Sequence, residues 1–516
     1  MSKEMLKYAL AIAGVILGWV MIVPAFEFPD EQAHLSSVSY ILDNSSMPVY
    51  EKQDLTKEMA ETQKLLGNFR DGLGNNKYTY HPEYHVQYSS NTVGIYESTI
   101  KDLNNQEART TYVGSEAAKY PPLYYRLTSF YMWVVNNSDI FTRLFVSRLI
   151  GVDIAVVMAV IVWHIGILIF KKRIYANTLT FMVMLQPMMS FVSAGVNSDN
   201  LHNLWFTLII YLCLRMVQNG LKLKEIVFIG ATIALDIYTK PQGFIALPVV
   251  GIAILIAIIR YKEWKMLGWI GIIGILAFVL SGSQWDVYKG LFSVGNTNGA
   301  AFIDYLRFSA NKLVAQNVVW YWGVFKWLGV VLPPIYWRVA NRAVLLGVFG
   351  LAIYVWKAMK KKKIIADTYS IVFVVSASII YTLVIFWYDW QHTKLNGYSL
   401  GIQARYFFPT LVAHMTILVT GIISLGWNGV SRKWLRRALV ILFLWLQIGA
   451  IWHIITIYYP GKSLSELIVQ ASQYKPAFAK GNWWYLWGAI YLWSLYYLVK
   501  TSLLSGNQVK GQHRQK

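Results

Sequence analysis

Charged residues are scarce in this sequence of 516 residues: they make up 14% of it, whereas hydrophobic residues make up 56%. A soluble domain carries roughly 25% charged residues, which it needs to cover its surface. The composition therefore excludes an ordinary soluble protein. The length instead indicates how many helices cross a membrane, because each crossing takes about 20 mostly apolar residues.

Acidic residues are fewer than basic ones, at 26 against 47, which gives a net charge of +21. They are concentrated in residues 26–120, which contain 14 acidic and only 8 basic residues. The basic residues occur mainly in short clusters between apolar stretches, near 171–173, 360–363 and 432–437. Basic clusters beside membrane spans mark the cytoplasmic side. The positive charge therefore indicates membrane topology, and no nucleic acid is expected as a partner.

Cysteine is nearly absent, because the single residue, Cys213, lies in an apolar stretch and excludes an intrachain disulfide. Trp and Tyr are abundant, with 22 and 34 residues, as expected for aromatic side chains at membrane interfaces. The first apolar segment follows Lys3 and Lys7 but precedes no small-residue cleavage site, so we expect a retained anchor. Nothing indicates an organelle, which favours a bacterial plasma membrane.

Hydrophobic runs predict an all-α polytopic membrane protein with about twelve spanning helices. The basic clusters then place both termini in the cytoplasm. If residues 121–136 crossed the membrane, the later basic clusters would fall outside the cytoplasm, so we expect an interfacial helix there. The chain 1–516 forms one transmembrane domain, in which 26–120 is a large first extracytoplasmic loop and 283–341 is extracytoplasmic or interfacial. The predicted spans are 5–25, 145–170, 174–194, 201–217, 226–239, 242–259, 266–282, 342–357, 370–388, 405–424, 438–456 and 483–500.

The first candidate site directly follows the first span, where Asp30, Glu31 and His34 occur close together. One interpretation is a helix start, because the helix dipole stabilises acidic residues in a first turn. The other is a carboxylate base at the membrane surface, ready to take a proton from a hydroxyl. Asp30 and His34 also share a helix face, which permits a divalent metal such as Mg²⁺ or Mn²⁺. Two ligands are too few to define such a site.

Further polar groups are predicted at the same outer face of the membrane. Residues 120–125 and 197–200 are either simple turns or parts of a site. Asp236 and Lys240 are spaced as a natural helical ion pair, although a lysine near the headgroups can also hold a lipid phosphate. Arg405 either extends its charged end towards water without a functional role or binds a phosphate through its planar guanidinium.

Together these motifs resemble those of DUF2142, a family of bacterial membrane proteins related to the GT-C glycosyltransferases. Ala404 and Lys326 stand where the family pattern has Gly, and the matches run from the first predicted span to the tenth. The shared patterns are P-D-E-x-x-H at 29–34, Y-P-P-L-Y-Y at 120–125, N-x-D at 197–199, W-G-x-F-x-W at 322–327 and Q-x-R-Y-F-x-P at 403–409.

The resemblance implies a GT-C-like bundle that moves a sugar from a polyprenyl-phosphate donor to an extracytoplasmic acceptor. Such an acceptor is a cell-surface polysaccharide, a teichoic acid or a glycolipid, and one in-line displacement would invert the sugar. No nucleotide-binding fingerprint is evident, as expected for a lipid donor, and no cofactor is certain. The resemblance further implies that Asp30 is the base, with Glu31 as its neighbour or substitute. Arg405 and Lys240 would hold the phosphate, and Asp199 would orient the sugar or the acceptor. The expected lining residues are His34, Tyr120, Gln403 and Tyr406.

Two other functions compete with a transferase. A transporter or flippase of lipid-linked saccharides predicts ionisable groups along a pathway near the middle of the membrane. Here Asp153, Asp236 and Arg405 fall towards the outer ends of their predicted spans. The third possibility is a noncatalytic scaffold, whose acidic loop binds wall polymers.

Overall fold

The protein is almost entirely helical in the part of the chain that the structure, a computed structural model, describes. That part comprises residues 3–49, 55–69, 88, 90–113, 120–280, 302–326, 328–362, 364–399 and 401–504. The α-helices of the first half are Lys3–Ile22, Glu31–Asn44, Lys57–Leu66, Ser90–Asp102, Gln106–Thr110, Leu123–Val134, Ile140–Phe170, Arg173–Met184, Pro187–Ala194, Asp199–Asn219 and Leu223–Ile237. Those of the second half are Ala246–Tyr261, Leu267–Leu280, Phe302–Lys312, Val318–Trp320, Pro334–Met359, Thr368–Asn396, Leu411–Ser424, Gly429–Tyr458, Leu464–Ala471 and Trp483–Leu504.

Shorter elements connect these helices. A π-helical turn, Leu313–Asn317, joins two of the α-helices, and the 3₁₀ helices are Pro241–Ile245, Trp264–Met266, Ala404–Thr410 and Ala477–Ala479. Four two-residue strands form two antiparallel pairs, Leu55–Thr56 with Tyr112–Val113 and Val324–Phe325 with Val330–Val331. The all-α polytopic class is therefore confirmed.

Eight helices of the described chain are long and apolar enough to cross a membrane. Every one of the predicted spans coincides with at least one helix, but a count of about twelve crossings stays a prediction. The predicted span 174–194 is two helices, because Pro187 begins a new one and Gln186 caps it by accepting a hydrogen bond from the Met189 amide. The eight are Glu4–Ile22, Ile140–Phe170, Asp199–Asn219, Pro241–Tyr261, Pro334–Met359, Thr368–Asn396, Ala404–Ser424 and Gly429–Tyr458.

The helix expected over 121–136 is present as Leu123–Val134. Twelve residues of α-helix are about 18 Å long, which is short of the roughly 30 Å hydrocarbon core. The helix therefore cannot cross a bilayer alone, and its exposed Phe130 and Trp133 are typical of an interface. Its position relative to a membrane stays a prediction.

Helix Asp199–Asn219 lies at the centre of the bundle and packs against Ile140–Phe170, Leu223–Ile237 and Ala246–Tyr261. The side chains on several of its faces are buried, including the polar His202 and Asn203 at its first turns. A helix that is buried nearly all round is held in position by its neighbours. Its first residue, Asp199, is therefore fixed relative to the rest of the bundle.

The end of the first helix, Lys3–Ile22, is held by cations from distant parts of the chain. The last carbonyl groups of a helix have no partner within it and carry the negative end of its dipole. Arg148 donates to the carbonyl oxygens of Val20 and Val23 at 3.2 and 2.9 Å, and Lys475 donates to that of Met21. These bonds fix the point from which the chain leaves the helix towards Asp30.

The long loop between the first two predicted spans, residues 26–120, is attached to the bundle through a buried ion pair. Helix Lys57–Leu66 carries Glu58, which accepts from Arg143 Nη2 at 2.5 and 2.6 Å, and both side chains are buried. The Gln63 side chain donates to the Asn68 carbonyl, and the Asn68 side chain donates to that of Ala25. The described parts of residues 26–120 therefore pack onto the helices. The remainder, with residues 283–301 of the second predicted segment, lies outside the described residues.

Candidate active site

Asp30 directly precedes helix Glu31–Asn44 in an unusual backbone conformation. Its φ and ψ angles are 58° and 12°, in the left-handed region that Asp and Asn tolerate better than most residues. The side chain makes no capping hydrogen bond to the described helix that follows. Its Oδ2 atom instead accepts from Arg405 Nη2 at 3.1 Å, and 28% of the side chain is exposed. The acidic residue at this helix start therefore contacts a cation and does not act as a simple cap.

Glu31, the next residue, is completely buried and belongs to a different set of contacts. Arg148 Nε and Nη2 donate to its two oxygens at 2.8 and 2.7 Å. The amides of Phe26 and Val196 donate to the same oxygens at 3.1 and 3.2 Å. This carboxylate therefore joins the segment before Asp30 to the turn before Asp199. Neighbouring acidic residues thus have different surroundings.

The turn at residues 197–200 brings two of the sequence motifs against the Asp30 segment. The Asn197 side chain donates to the Pro29 carbonyl at 3.2 Å, and the Asn197 backbone N–H donates to the Tyr124 hydroxyl at 2.9 Å. Asn197 Oδ1 also accepts from the Asp199 amide at 2.8 Å. The turn is therefore more than a hydrophilic connection, because it sets Asp199 relative to Asp30.

Asp199 lies between two cations in the interior of the protein. Lys240 Nζ donates to its Oδ1 atom, and Arg405 Nε lies 3.8 Å from its Oδ2 atom. Arg405 thus links Asp199 to Asp30. The four charges balance formally, and only Asp30 among them is substantially exposed.

Arg405 retains unused hydrogen-bonding capacity although its side chain is only 5% exposed. In the described part of the chain, its Nε and Nη1 atoms have no hydrogen-bond acceptor. A buried donor without a partner costs about 1–3 kcal/mol, and more when the group is charged. An acceptor that reached these atoms would therefore bind favourably.

Aromatic rings surround the two cations. Lys240 Nζ lies 5.3 Å from the Tyr120 ring centre and 5.8 Å from that of Tyr406, and the Arg405 guanidinium lies 5.7 Å from Tyr406. These distances suit cation–π contacts, which strengthen when water is excluded. Burial of its hydroxyl raises the pKa of Tyr120, so this residue stays protonated. Tyr120 and Tyr406 therefore form an aromatic wall of the site.

His34 stacks on Tyr120 at a ring-centre distance of 5.8 Å, and its Nδ1 atom lies 2.9 Å from the Tyr125 hydroxyl. Burial lowers the pKa of His34 to about 4, so the imidazole is neutral near pH 7. With Nδ1 used by Tyr125, His34 supports the aromatic wall. A metal site at Asp30 and His34 stays a prediction, because the described chain contains no group of three or more His, Cys, Asp or Glu side chains that could hold a metal ion.

The helical ion pair expected between Asp236 and Lys240 does not form. Helix Leu223–Ile237 ends before Lys240, whose φ of −156° is extended, so the helical spacing no longer applies. Lys240 pairs with Asp199 instead, and Asp236 contacts His202 Nδ1 at 2.6 Å. His202 Nε2 in turn lies 3.3 Å from the Tyr381 hydroxyl. His202 and Tyr381 of this second polar chain line the same small cavity as Lys240 and Arg405.

Gln403 is separated from the other candidates. It lines a different cavity, together with Asn317 and Asp389, whereas Asp199, Lys240, Arg405 and Tyr406 line a small cavity of about 10 Å³. The 3₁₀ helix Ala404–Thr410 begins between Gln403 and Arg405, so the two side chains reach different spaces. The structure thus brings Asp30, Asp199, Lys240, Arg405, Tyr406, Tyr120 and His34 together, and it places Gln403 beside them.

The family profile described as "Predicted membrane protein (DUF2142)" matches residues 14–413 of the sequence. The chain belongs to this family. The matched segment contains all four charged residues of the site, Asp30, Asp199, Lys240 and Arg405. No curated protein matches the sequence.

Several solved membrane enzymes are similar to this DUF2142 protein in overall structure. They include ArnT from Cupriavidus metallidurans bound to undecaprenyl phosphate, with 11% identity, a TM-score of 0.42, and coverage of 96% of this chain and 77% of that one. The archaeal oligosaccharyltransferase AglB from Archaeoglobus fulgidus has 13% identity, a TM-score of 0.38, and coverages of 95% and 59%. The arabinosyltransferase EmbB from Mycobacterium smegmatis has 11% identity and a TM-score of 0.40, and the match covers 96% of this chain and 40% of that one.

One departure from the DUF2142 pattern has a visible backbone context. Lys326, where the motif resemblance led us to expect Gly, lies in the turn between strands Val324–Phe325 and Val330–Val331, and its φ is 44°. Gly adopts a positive φ readily, so the backbone at this position suits the expected Gly. The hairpin contacts the first helix, since the Phe325 ring centre lies 5.7 Å from that of Trp19. Trp327 lies outside the described residues.

Two important residues of this DUF2142 protein were not predicted from the sequence, namely Arg148 and His202. Arg148 lies within the apolar helix Ile140–Phe170, and an ionisable side chain in such a stretch is itself a signal of a buried partner. Its partner Glu31 is 117 residues away, so no local spacing links the two. His202 carried a weaker signal, since a lone histidine near a helix start has many possible roles.

Proposed function

We propose that this protein is a glycosyltransferase that takes a sugar from a polyprenyl-phosphate donor and transfers it, with inversion, to an acceptor outside the cytoplasm. The observation that carries the proposal is the arrangement around Arg405. This buried cation lies between Asp30 and Asp199 and has two nitrogens without an acceptor in the described chain. The motif resemblance to GT-C enzymes supports the same reaction.

The donor phosphate would bind Arg405 and Lys240. The guanidinium presents its donors in a planar fork that matches a phosphate, and the ammonium adds a compact charge. Without donor, the two cations are neutralised by the two carboxylates that they contact. A phosphate that reaches Arg405 competes with Asp30 for the guanidinium, since the contact at 3.1 Å is the one nearest to the exposed side. Donor binding would thereby release the Asp30 carboxylate from Arg405.

Once it no longer pairs with Arg405, the Asp30 carboxylate would act as the general base. The acceptor hydroxyl oxygen attacks the anomeric carbon of the sugar and forms the new glycosidic bond. The bond between that carbon and the phosphate oxygen breaks, the hydroxyl proton passes to Asp30, and polyprenyl phosphate leaves. Cations that are already in place stabilise the charge that develops on the leaving phosphate. The described residues supply no metal-ligand set, so no step is assigned to a metal.

Glu31 would position the site and not react. Its carboxylate is buried against Arg148, which also holds the end of the first helix. Breaking a buried ion pair by removing one charge typically costs about 3–5 kcal/mol. Asp199, between Lys240 and Arg405, would orient the two cations and the sugar.

The proposal is tested with purified protein in lipid nanodiscs and a set of synthetic polyprenyl-phosphate sugars. Asp30→Asn suits the left-handed backbone and keeps the size of the side chain, but it cannot accept the proton. Turnover should fall by about 10²–10⁴ while undecaprenyl phosphate still binds. Asp43→Asn is the matched control, because Asp43 is an exposed acid in the same helix, Glu31–Asn44.

Glu31→Gln separates a positioning role from a catalytic one. We expect a lower melting temperature and a loss of activity in proportion to the folded fraction. Full stability with abolished turnover would make Glu31 the base instead. Parental turnover in both variants would contradict the carboxylate mechanism, and transmembrane movement of the intact donor without transfer would identify a flippase.

A further inference from the structure

A second cavity, of about 90 Å³, lies beside the proposed active site. The two cavities are lined by neighbouring residues of one short segment, because Gln403 faces this cavity and Arg405 the first. Much of its wall comes from the helical stretch that ends at Trp320 and from the end of helix Thr368–Asn396. Its polar lining residues include Lys312, Asn317, Asp389, Ser399 and Gln403.

Asn317 indicates that the cavity receives a polar ligand. The residue is 6% exposed, and its Oδ1 atom has no hydrogen-bond donor in the described chain. A buried amide oxygen without a partner costs about 1–3 kcal/mol unless something bound supplies the bond. Asn317 also ends the π-helical turn Leu313–Asn317. Such turns are rare and occur frequently at functional sites.

Asp389, which also lines this cavity, already makes the type of bond that a sugar requires. Its Oδ2 atom accepts from the Tyr305 and Ser399 hydroxyls, each at 2.8 Å. The carboxylate is therefore held in one orientation by neutral hydroxyl groups. A carboxylate only accepts hydrogen bonds, so it is the type of group to which sugar hydroxyls donate. Trp320 adds an aromatic wall, against which the apolar face of a sugar ring can pack.

We propose that this cavity binds one pyranose ring of the substrates, with Asn317 and Asp389 bonding its hydroxyls and Trp320 packing on its face. The proposal rests on the proposed function. A ligand pocket typically combines apolar or aromatic walls with a few convergent polar groups that fix orientation. The position next to Arg405 puts a bound ring close to where the donor phosphate would sit. The ring belongs either to the donor or to the acceptor, since both present the same hydroxyl chemistry.

The binding experiment uses the full chain in nanodiscs and needs no turnover. Methyl pyranosides of the hexose, N-acetylhexosamine and 6-deoxyhexose types are screened by saturation-transfer NMR. At least one should bind, and both Asn317→Leu and Asp389→Asn should weaken that binding at least tenfold. Asp304→Asn is the matched control, because Asp304 is 61% exposed in the neighbouring helix Phe302–Lys312. It should leave binding unchanged.

Two outcomes would overturn the proposal. One is that no pyranoside binds. The other is that a pyranoside binds equally to the parental protein and both variants, with the melting temperatures confirming that the variants are folded. A higher melting temperature of Asn317→Leu without any glycoside binding would identify a water-filled void.

Competition distinguishes the two sources of the ring. If the donor's sugar occupies the cavity, a polyprenyl-phosphate sugar displaces the methyl glycoside, whereas undecaprenyl phosphate alone does not. If the acceptor's ring occupies it, glycoside and donor bind together. Failure of the proposed function would appear as absent transfer with glycoside binding intact. Failure of this inference would appear as intact transfer with no dependence on Asn317 or Asp389.

Discussion

Arg405 is buried and charged, and two of its nitrogens have no hydrogen-bond acceptor in the described chain. A guanidinium taken out of water needs strong acceptors, and here Asp30 and Asp199 provide them only in part. Such partial satisfaction is unfavourable in the free protein and favours an anionic ligand. Single atoms of one side chain thus suggest the class of ligand.

Substituting Arg405 tests the phosphate assignment. Arg405→Lys keeps the charge but loses the fork, so undecaprenyl phosphate should bind more weakly. Arg405→Ala also leaves two carboxylates less neutralised and should weaken binding further, by about 2–4 kcal/mol. Dissociation constants in nanodiscs measure both effects, and Arg307→Ala, at a side chain that is 80% exposed, is the control. Parental affinity in both variants would remove Arg405 from the phosphate site.

His34 gives a prediction about pH. Burial, partly opposed by Asp30 and Asp199, lowers its pKa to about 4, whereas the unfolded chain has a value near 6.5. The unfolded state therefore takes up the proton first as pH falls. The stability that comes from burying neutral His34 is full above about pH 6.5 and is lost progressively towards pH 4, by about 3 kcal/mol.

Melting temperatures of the parental protein and of His34→Gln between pH 7 and pH 4 measure this effect. The parental protein should lose more stability over that interval than the variant, because Gln keeps a hydrogen-bonding group for Tyr125 but does not titrate. Parallel curves would show that His34 is not protonated selectively in the unfolded state.

At the scale of elements, close helix packing depends on glycine. Helices Pro334–Met359 and Leu411–Ser424 approach at Gly350 and Gly421. A Cβ atom at Gly421 would collide with the Gly347 carbonyl oxygen, and one at Gly350 with that of Gly421. Small residues of this kind let membrane helices approach without a hydrophobic driving force.

Gly421→Val should therefore separate these helices and lower the melting temperature. The atom in the way is a backbone oxygen and cannot rotate aside. We therefore expect the free energy of unfolding to fall by at least the about 1–3 kcal/mol that is typical of overpacking. Gly429→Ala is the control, since a Cβ there meets nothing within 4 Å. Equal melting temperatures for the two variants would contradict close packing at Gly421.

At the scale of the whole molecule, the charge distribution predicts which face of the bundle meets the cytoplasm. In intact bacteria, an impermeant thiol reagent should label Lys101→Cys and Ser465→Cys, both at exposed positions. It should not label Trp427→Cys, whose parental side chain is 83% exposed near the basic residues 432–437. The parental protein gives the background, because Cys213 is buried. The reverse labelling pattern would place the site on the cytoplasmic side.

Much of the architecture was predictable because a helix depends on local sequence. Apolar runs indicated the membrane class, and helices occur at all the predicted spans. Boundaries were less predictable: the span expected over 342–357 belongs to helix Pro334–Met359. Its first turns are amphipathic enough to escape a hydropathy pattern, and Pro334 starts the helix with a fixed φ.

The sequence by itself determined the apolar helices and the distribution of charge along the chain, and it predicted that the polar motifs lie at one face. Only the tertiary structure decided which polar groups pair. Adjacent Asp30 and Glu31 contact different arginines, 375 and 117 residues away. Asp236 and Lys240 choose different partners because the helix ends between them. Local spacing is set by neighbouring residues, whereas a buried charge is satisfied by whichever opposite charge the packing of distant helices brings to it.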